Sequence, residues 1–389
     1  MKHYGHLSKK KLDSIFYKLP ETFNRNTKKE VLSHSLGATL YMPSTKEKIA
    51  DDLIIKKHPS LTSIVICLED AIGDNEVEIG MKNIFDTMEK LNRAINEDLI
   101  KEDELPLMFI RVRNPQQLKK LLFKNNNGQK LNLLCGFNLP KFTSKNGILY
   151  LDAIEEYNIK NNTKLYAMPI LETPEIIYKE TRINEFMKIK GIIDSYKDLV
   201  LNVRIGATDF SSLYSIRRGM DFTIWDINVI SDCITDIINI FNRAEDNYTI
   251  SGPVWEYFSN SNRLLKPTLR ETPFIKKGSQ GRKKRLDMID KAIDGLIREI
   301  ILDKANGLVG KTIIHPSHIS FVNAMYVVTQ EEYEDAANIL SSQDIGVFKS
   351  ESGNKMNEVK PHTNWAMEVA LMAKIYGVIK KGINYTDLF

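Results

Sequence analysis

The chain reads as an α/β protein built on a (β/α)8 TIM barrel. Three observations lead there: eight short apolar runs, helix-like stretches between them, and chemically useful side chains where the runs end. The runs are ATLYMP (38–43), SIVICLED (63–70), LMFIRVRN (107–114), LLCGFNLPK (133–141), KLYAMPILE (164–172), LVLNVRIGATD (199–209), YTISGPVWE (248–256) and GKTIIHP (310–316). They are continuously hydrophobic rather than alternating, as parallel strands covered outside by helices require. In such a barrel the active site lies at the C-terminal ends of the strands. Those ends carry Glu69, Asp70, Arg111, Arg113, Lys141, Glu172, Asp209 and His315. Side chains far apart in sequence would thereby converge on one mouth, the arrangement of an enzyme.

SIVIC and LMFI are β-branched or bulky throughout and too short for buried helices. After Asp70 a polar turn leads into IGMKNIFDTMEKLNRAI, whose apolar residues recur three and four apart, as in a crossover helix. After Glu172, Thr173 and Pro174 have the character of an N-cap and a first helical position. The gap before the eighth strand is longer and carries KPTLRETPFIKKGSQGRKKR ahead of the helical stretch LDMIDKAIDGLIREIILDKA. The 389 residues exceed a typical barrel of about 250. The expected organisation is an N-terminal extension over 1–36, the barrel over 37–330, and a C-terminal arm and helix over 331–389.

A net charge of +4 specifies no particular partner. Cys67, Cys135 and Cys233 show no CxxC spacing and read as reduced, buried thiols of a cytoplasmic protein. The opening MKHYGHLSKKKL has no apolar signal core, and no run approaches 18 apolar residues, so neither a signal peptide nor a membrane span is expected. Low complexity is confined to NNNG at 125–128. The basic run Gly281-Arg282-Lys283-Lys284-Arg285 reads as a solvated helix face or a phosphate contact; without interleaved aromatics, no nucleic-acid partner is expected.

The strings GATLYMPS, ICLEDAI, FIRVRNP, NLPKF, PILET, IGATDFS and GKTIIHPSHI, in this order, resemble the citrate lyase β-subunit-like group of the HpcH/HpaI aldolase family. More narrowly, GATLYMP and ISGPVWEYF resemble a bacterial subgroup of carbon–carbon bond lyases of barrel fold, encoded with tellurite-resistance and stress proteins. The resemblance implies Mg²⁺-dependent lyase or aldol-type chemistry on a small anionic substrate. A 2-oxo acid or a CoA thioester is the expected class, in a homo-oligomer that is a trimer or a multiple of one. The alternative is a barrel without turnover, kept as a ligand-binding or assembly component of a stress response.

Breaking a carbon–carbon bond beside a carbonyl passes through an enolate, whose oxyanion needs a hard cation and positive charge. Mg²⁺ takes octahedral oxygen ligation, commonly one or two carboxylates with waters and substrate oxygens. Glu172 and Asp209, ending the fifth and sixth runs, are placed to supply such a pair, and the family's metal-binding Glu and Asp fall on the same positions. Both could instead cap the helices that follow. Arg111 suits a bidentate substrate clamp, the role that the resemblance gives this position. Arg113 stands where the family has asparagine. Two residues apart on a strand, both arginines are expected to face the mouth and bind a more anionic substrate, unless Arg113 pairs with Glu69 or Asp70.

Glu69 and Asp70 are neighbours and so are expected to face opposite ways. The resemblance has this acidic pair act mostly through waters on the metal, and Glu69 is also a candidate catalytic residue. Lys141 can neutralise a substrate carboxylate, and Gly206 fits either close backbone approach to a ligand or a plain strand-end turn. His315 is a general-base candidate or a locally packed histidine, and Trp255 and Tyr257 either line the mouth or cover the rim. Near the end, Met356, Asn357 and Glu358 align with the family's methionine-isoleucine-aspartate, with one extra residue before Pro361. That aspartate serves a neighbouring subunit as acid/base, so Glu358 is the candidate here. The segment 345–362 would form an arm, and the next helix could dock on the neighbour, or on its own subunit, through Trp365, Met367, Val369 and Leu371. Gly37-Ala38 replaces the family's usual arginine-serine, so a CoA contact is not assumed.

Overall fold

The computed structural model describes residues 1–123, 131–246, 248–258, 274, 277–342, 346–350 and 356–389. The NNNG tract, the first part of the insertion and Ser352 and Asn354 of the arm lie outside the described residues. Every expected strand is present: β1 (Ala38–Pro43), β2 (Ser63–Cys67), β3 (Leu107–Arg111), β4 (Leu134–Leu139), β5 (Tyr166–Leu171), β6 (Val203–Ile205), β7 (Ile250–Trp255) and β8 (Lys311–Ile313). They close into one barrel in sequence order, and β1 pairs parallel with β8 to complete it. The strands are shorter than the apolar runs. Glu69, Asp70, Arg113, Lys141, Glu172 and Asp209 therefore lie in loops and helix starts just beyond the ladder.

Each strand is buried on both faces, which accounts for the continuous hydrophobicity. Inside, Val65, Phe109, Cys135, Tyr166, Met168 and Leu201 pack together with Phe23, Leu32 and Leu36. The N-terminal extension is thus part of the barrel's core rather than an appendage. Its helix Lys29–His34 plugs the N-terminal end of the barrel, and Thr249, just ahead of β7, donates to Ser33 Oγ at 3.0 Å. Outside, helix Val77–Asn96 buries Met81, Ile84, Met88 and Leu91 against the sheet, at the expected helical spacing. Thr173 and Pro174 do open a helix, Pro174–Ile177. The chain then turns extended at Tyr178 (ψ 125°) before helix Lys179–Ser195.

The C-terminal helix Val359–Tyr376 packs on its own subunit. Met372, Ala373, Ile375 and Tyr376 are buried, and Val369 and Leu371 pack partly against the same core. Tyr376 donates to the carbonyl of His34 at 2.9 Å, and Glu368 lies 3.2 Å from the His34 ring, so the helix crosses the end of the barrel opposite the mouth. Of the four residues expected to dock on a neighbour, Trp365 and Met367 remain 40% and 51% exposed.

All three cysteines are free and buried. Trp255 is fully buried against the Arg218 guanidinium, 4.8 Å away, and Gly295 of helix Ile293–Ala305 leaves room for its ring. It therefore packs behind the barrel wall rather than lining the mouth. Among the described residues no helix is long and apolar enough to cross a membrane.

Between β8 and that helix lies a fully buried charge cluster. Lys311 Nζ reaches Glu299 Oε1 at 2.9 Å and Asp303 Oδ2 at 2.6 Å. Arg218 pairs with the other Glu299 oxygen, and the Trp225 indole donates to Asp303 at 2.9 Å. Removing one partner strands the opposite charges in a dry interior. Lys311→Met is expected to destabilise the fold by about 3–5 kcal/mol. Urea unfolding checks this, and a change within about 0.5 kcal/mol, the usual range for surface substitutions, would show that the cluster is not structural.

Candidate active site

The mouth is organised around Arg111, the last residue of β3. Cys67 ends β2 directly opposite it in the parallel register. The Arg111 Nε donates to Cys67 Sγ at 3.0 Å, Nη1 meets Glu69 Oε2 at 3.0 Å, and Nη2 lies 3.5 Å from Asp70 Oδ2. The guanidinium also sits 5.4 Å from the centre of the Tyr41 ring. Glu69 and Asp70 thus do not face opposite ways. They lie in the bend after β2, where strand alternation no longer applies, and both reach Arg111. Glu69 is buried, whereas the Asp70 side chain is 58% exposed.

Lys141 follows β4 in the left-handed backbone region (φ 49°), where a side-chain-bearing residue is strained. The turn presents its N–H to Glu172 Oε1 at 2.7 Å, while its ammonium pairs with Glu69. Burial opposes the ammonium, but the hydrogen bond and field of Glu69 outweigh it and raise the pKa above the ordinary lysine value. A Schiff-base lysine needs the opposite shift.

Glu172 is buried just past β5. Asp209 lies in the first turn of helix Ala207–Leu213 after β6, with Gly206 at the N-cap position. Asp209 is therefore not the cap residue that its place before FSSLYS allowed. Burial, then the charge of Asp209, pushes the Glu172 carboxyl up to about 8. Asp209 is raised too, by burial and then by Asp70. A hydrogen bond from the Glu172 carboxyl works against the rise at Asp209. Gly206 owes its identity to Glu172. A Cβ there would stand 2.1 Å from Glu172 Oε2, and its φ of −92° suits any residue. The close approach is thus to a carboxylate of the site.

Arg113 departs from expectation. β3 ends at Arg111, so alternation stops and the Arg113 side chain turns back to the loop after β2. Its Nε donates to the Leu68 carbonyl at 2.7 Å, Nη2 to that of Ile72 at 3.3 Å, and Nη1 pairs with Asp74. Arg113 braces the loop that carries Glu69 and Asp70. It forms neither a second clamp nor a pair with those two acids. His315 is engaged locally, with Nδ1 2.8 Å from Ser317 Oγ and its ring stacked on Phe258 at 4.4 Å. Glu358 is exposed, ending a short strand (Met356–Glu358) that pairs with Val347–Lys349. The helix it opens crosses the far end of the barrel, so the fold does not direct Glu358 to its own mouth.

Sequence reasoning passed over Tyr41, Asn138 and Arg204; Asn138 lies level with Arg111 in the strand register, and Tyr41 and Arg204 are near it inside the barrel. Asn138 donates to the Tyr41 hydroxyl at 2.5 Å, and the Arg204 guanidinium lies 5.8 Å from the Tyr41 ring centre. The available signal was a polar residue inside a run that should be buried on both faces, in GFNLP and NVRIG.

Eight parallel strands bring an arginine, a lysine and four carboxylates together at the mouth of a closed barrel. Residues 30–378 match the family of carbon–carbon bond lyases of the TIM-barrel fold, and the chain belongs to that family. Among solved structures, a citrate lyase from Burkholderia xenovorans LB400 is similar at 13% identity and a TM-score of 0.60, over 91% of this chain and 96% of that one. The protein CitE from Mycobacterium tuberculosis, solved with magnesium, acetoacetate and coenzyme A, is similar at 14% identity and a TM-score of 0.52, over 88% of this chain and 99% of that one. At these identities the likeness is one of fold. No curated protein matches the sequence.

Proposed function

We propose that the protein is a Mg²⁺-dependent carbon–carbon lyase of citrate lyase β type, acting on a small anionic carboxylate, with a 2-oxo acid or an acyl thioester as the substrate class. The observation that carries this reading is the buried Glu172–Asp209 pair. Burial and the charge of Asp209 raise the Glu172 pKa, burial and the charge of Asp70 raise that of Asp209, and the donor set is oxygen only. Among the described residues no group of three or more His, Cys, Asp or Glu gathers to hold a metal, so the cation would rest on two carboxylates completed by waters and substrate. That is the ligation Mg²⁺ tolerates best. Held there, Mg²⁺ would act as a Lewis acid on the substrate carbonyl. Glu69 and Asp70 fit a role through waters, while Arg111 and Lys141 orient the substrate carboxylate. The CitE complex with acetoacetate and coenzyme A supports keeping a CoA thioester within the class. Three free, buried cysteines fit a reducing compartment such as the cytoplasm.

Thermal unfolding with millimolar Mg²⁺ and oxaloacetate or pyruvate, followed by turnover assays, tests the reading. Ligand at a hundred times its Kd stabilises the folded state by about 2.7 kcal/mol. No shift with any acid would refute the site. A shift without turnover would instead favour the barrel kept for ligand binding.

The subunit assembly is part of the proposal. The exposed Glu358, away from its own mouth, fits an arm that completes a neighbour's mouth in a trimer or a multiple of it. Inactive Glu172→Gln subunits mixed with inactive Glu358→Gln subunits should regain part of the activity. If mixed oligomers stay inactive, each mouth is built from one chain.

A further inference from the structure

Beneath the metal pair, the floor of the mouth holds an unbalanced charge. Arg204 points into the barrel from β6 and is 1% exposed. Its Nη2 donates to Thr312 Oγ1 at 2.8 Å and Nη1 lies 4.0 Å from Met168 Sδ, while Nε has no partner. Among the described residues no carboxylate pairs with it; the neighbour that favours its charge is Tyr41. A guanidinium buried without a counter-charge is costly, and replacing it by an apolar side chain would ordinarily be neutral or stabilising. The cation has a use if a negative charge appears beside it during the reaction.

Tyr41 is the group that can provide one. Its side chain is half-buried on β1 and reaches the same chamber as Arg111, whose guanidinium lies over the other contact to its ring. The phenol oxygen accepts from the Asn138 amide, and that bond does not use the Tyr41 O–H. We infer that Tyr41 is a catalytic acid, giving its proton to the enolate carbon, with Arg204 and Asn138 holding the phenoxide that remains. This rests on the lyase reading above. In the cleavage direction the carbon–carbon bond breaks and its electron pair passes into the enolate. The Tyr41 O–H bond then breaks, its proton forms the new C–H bond, and its electron pair stays on the phenoxide oxygen. The proton given up by the cleaved hydroxyl leaves to solvent and solvent returns one to Tyr41, so none is consumed overall.

Two measurements separate this inference from the lyase reading. In the first, wild type and Tyr41→Phe are incubated with Mg²⁺ and pyruvate or oxaloacetate in D2O, and deuterium entering carbon is followed by proton NMR. Loss of a general acid should lower exchange by about 10²–10⁴-fold. The Mg²⁺-induced shift in unfolding temperature should not change. Exchange at the wild-type rate would overturn the assignment. The second needs no turnover. An aryl sulfonyl fluoride, read by peptide mass spectrometry, should label Tyr41 ahead of the more exposed Tyr17 and Tyr214. Arg204→Met should remove that preference while leaving Tyr17 labelling as it was. Labelling of Tyr41 that is no faster than Tyr17, or that is indifferent to Arg204→Met, would overturn the Tyr41–Arg204 unit. Arg204-dependent labelling in a wild type that processes no acid would count against the lyase reading alone.

Discussion

Glu172→Gln is expected to lower Mg²⁺-dependent turnover by about 10³-fold or more, the scale of several kcal/mol of lost Lewis-acid stabilisation. Chelating the metal from wild type should give the same floor. The pH dependence makes the prediction specific. The Glu172 carboxyl sits near 8 because it is buried beside Asp209. Below that pH, Mg²⁺ must displace a proton to bind. Apparent Mg²⁺ affinity should therefore rise about tenfold per pH unit up to about 8 and flatten above it. The metal-free protein should show the opposite sign in stability. With the folded pKa raised above the ordinary 4.5, the stabilising contribution is fully present below about 4.5 and is lost as pH rises toward 8. Metal-free Glu172→Gln lacks this titration and should gain on wild type in unfolding temperature across that window. Calorimetric titration of Mg²⁺ from pH 6 to 9, with unfolding scans in chelator, would settle both. An affinity independent of pH in wild type would remove Glu172 from the metal site.

The sequence carried the barrel because its strands are parallel and buried on both faces, so each appears as an unbroken apolar run. It carried most of the mouth for a related reason. A polar residue that ends such a run must lie at the C-terminal rim, and Glu69, Arg111, Lys141 and Glu172 all do. What failed was direction. Alternation holds only while the backbone stays in the ladder, and β2 and β3 stop at Cys67 and Arg111. Beyond those residues the loop decides, so Arg113 turned away and Asp70 turned in. The size constraint at Gly206 was illegible because it comes from Glu172, a neighbour on another strand. Arg204 and Asn138 were hidden by the runs that revealed the strands, since both read as interruptions of a hydrophobic segment. The last helix carries apolar residues on more than one side, and spacing alone does not say which side meets the chain's own barrel.

Arg111→Lys is expected to lower turnover by about 10²–10³-fold, nearly as much as Arg111→Ala, because the positive charge is only part of what Arg111 supplies. Its three nitrogens are committed in three directions, to the Cys67 sulfur, to Glu69 and to Asp70, and its plane lies over Tyr41. A lysine ammonium is a point donor that can keep one of these partners but cannot span them, and it offers no fork to a substrate carboxylate. Losing the fork should also free Glu69, leaving it to Lys141 alone and altering the second cation of the mouth. The loss should therefore fall on kcat as well as KM, whereas a simple binding contact would raise KM with kcat unchanged. Arg113→Asn is the contrasting control. It removes a brace from residues 68–74 rather than a group of the mouth, so its effect on kcat should be the smaller of the two. Steady-state kinetics on the acid identified by the binding screen decides the matter. Full activity in Arg111→Lys, or a greater loss in Arg113→Asn, would mean that the clamp has been assigned to the wrong arginine.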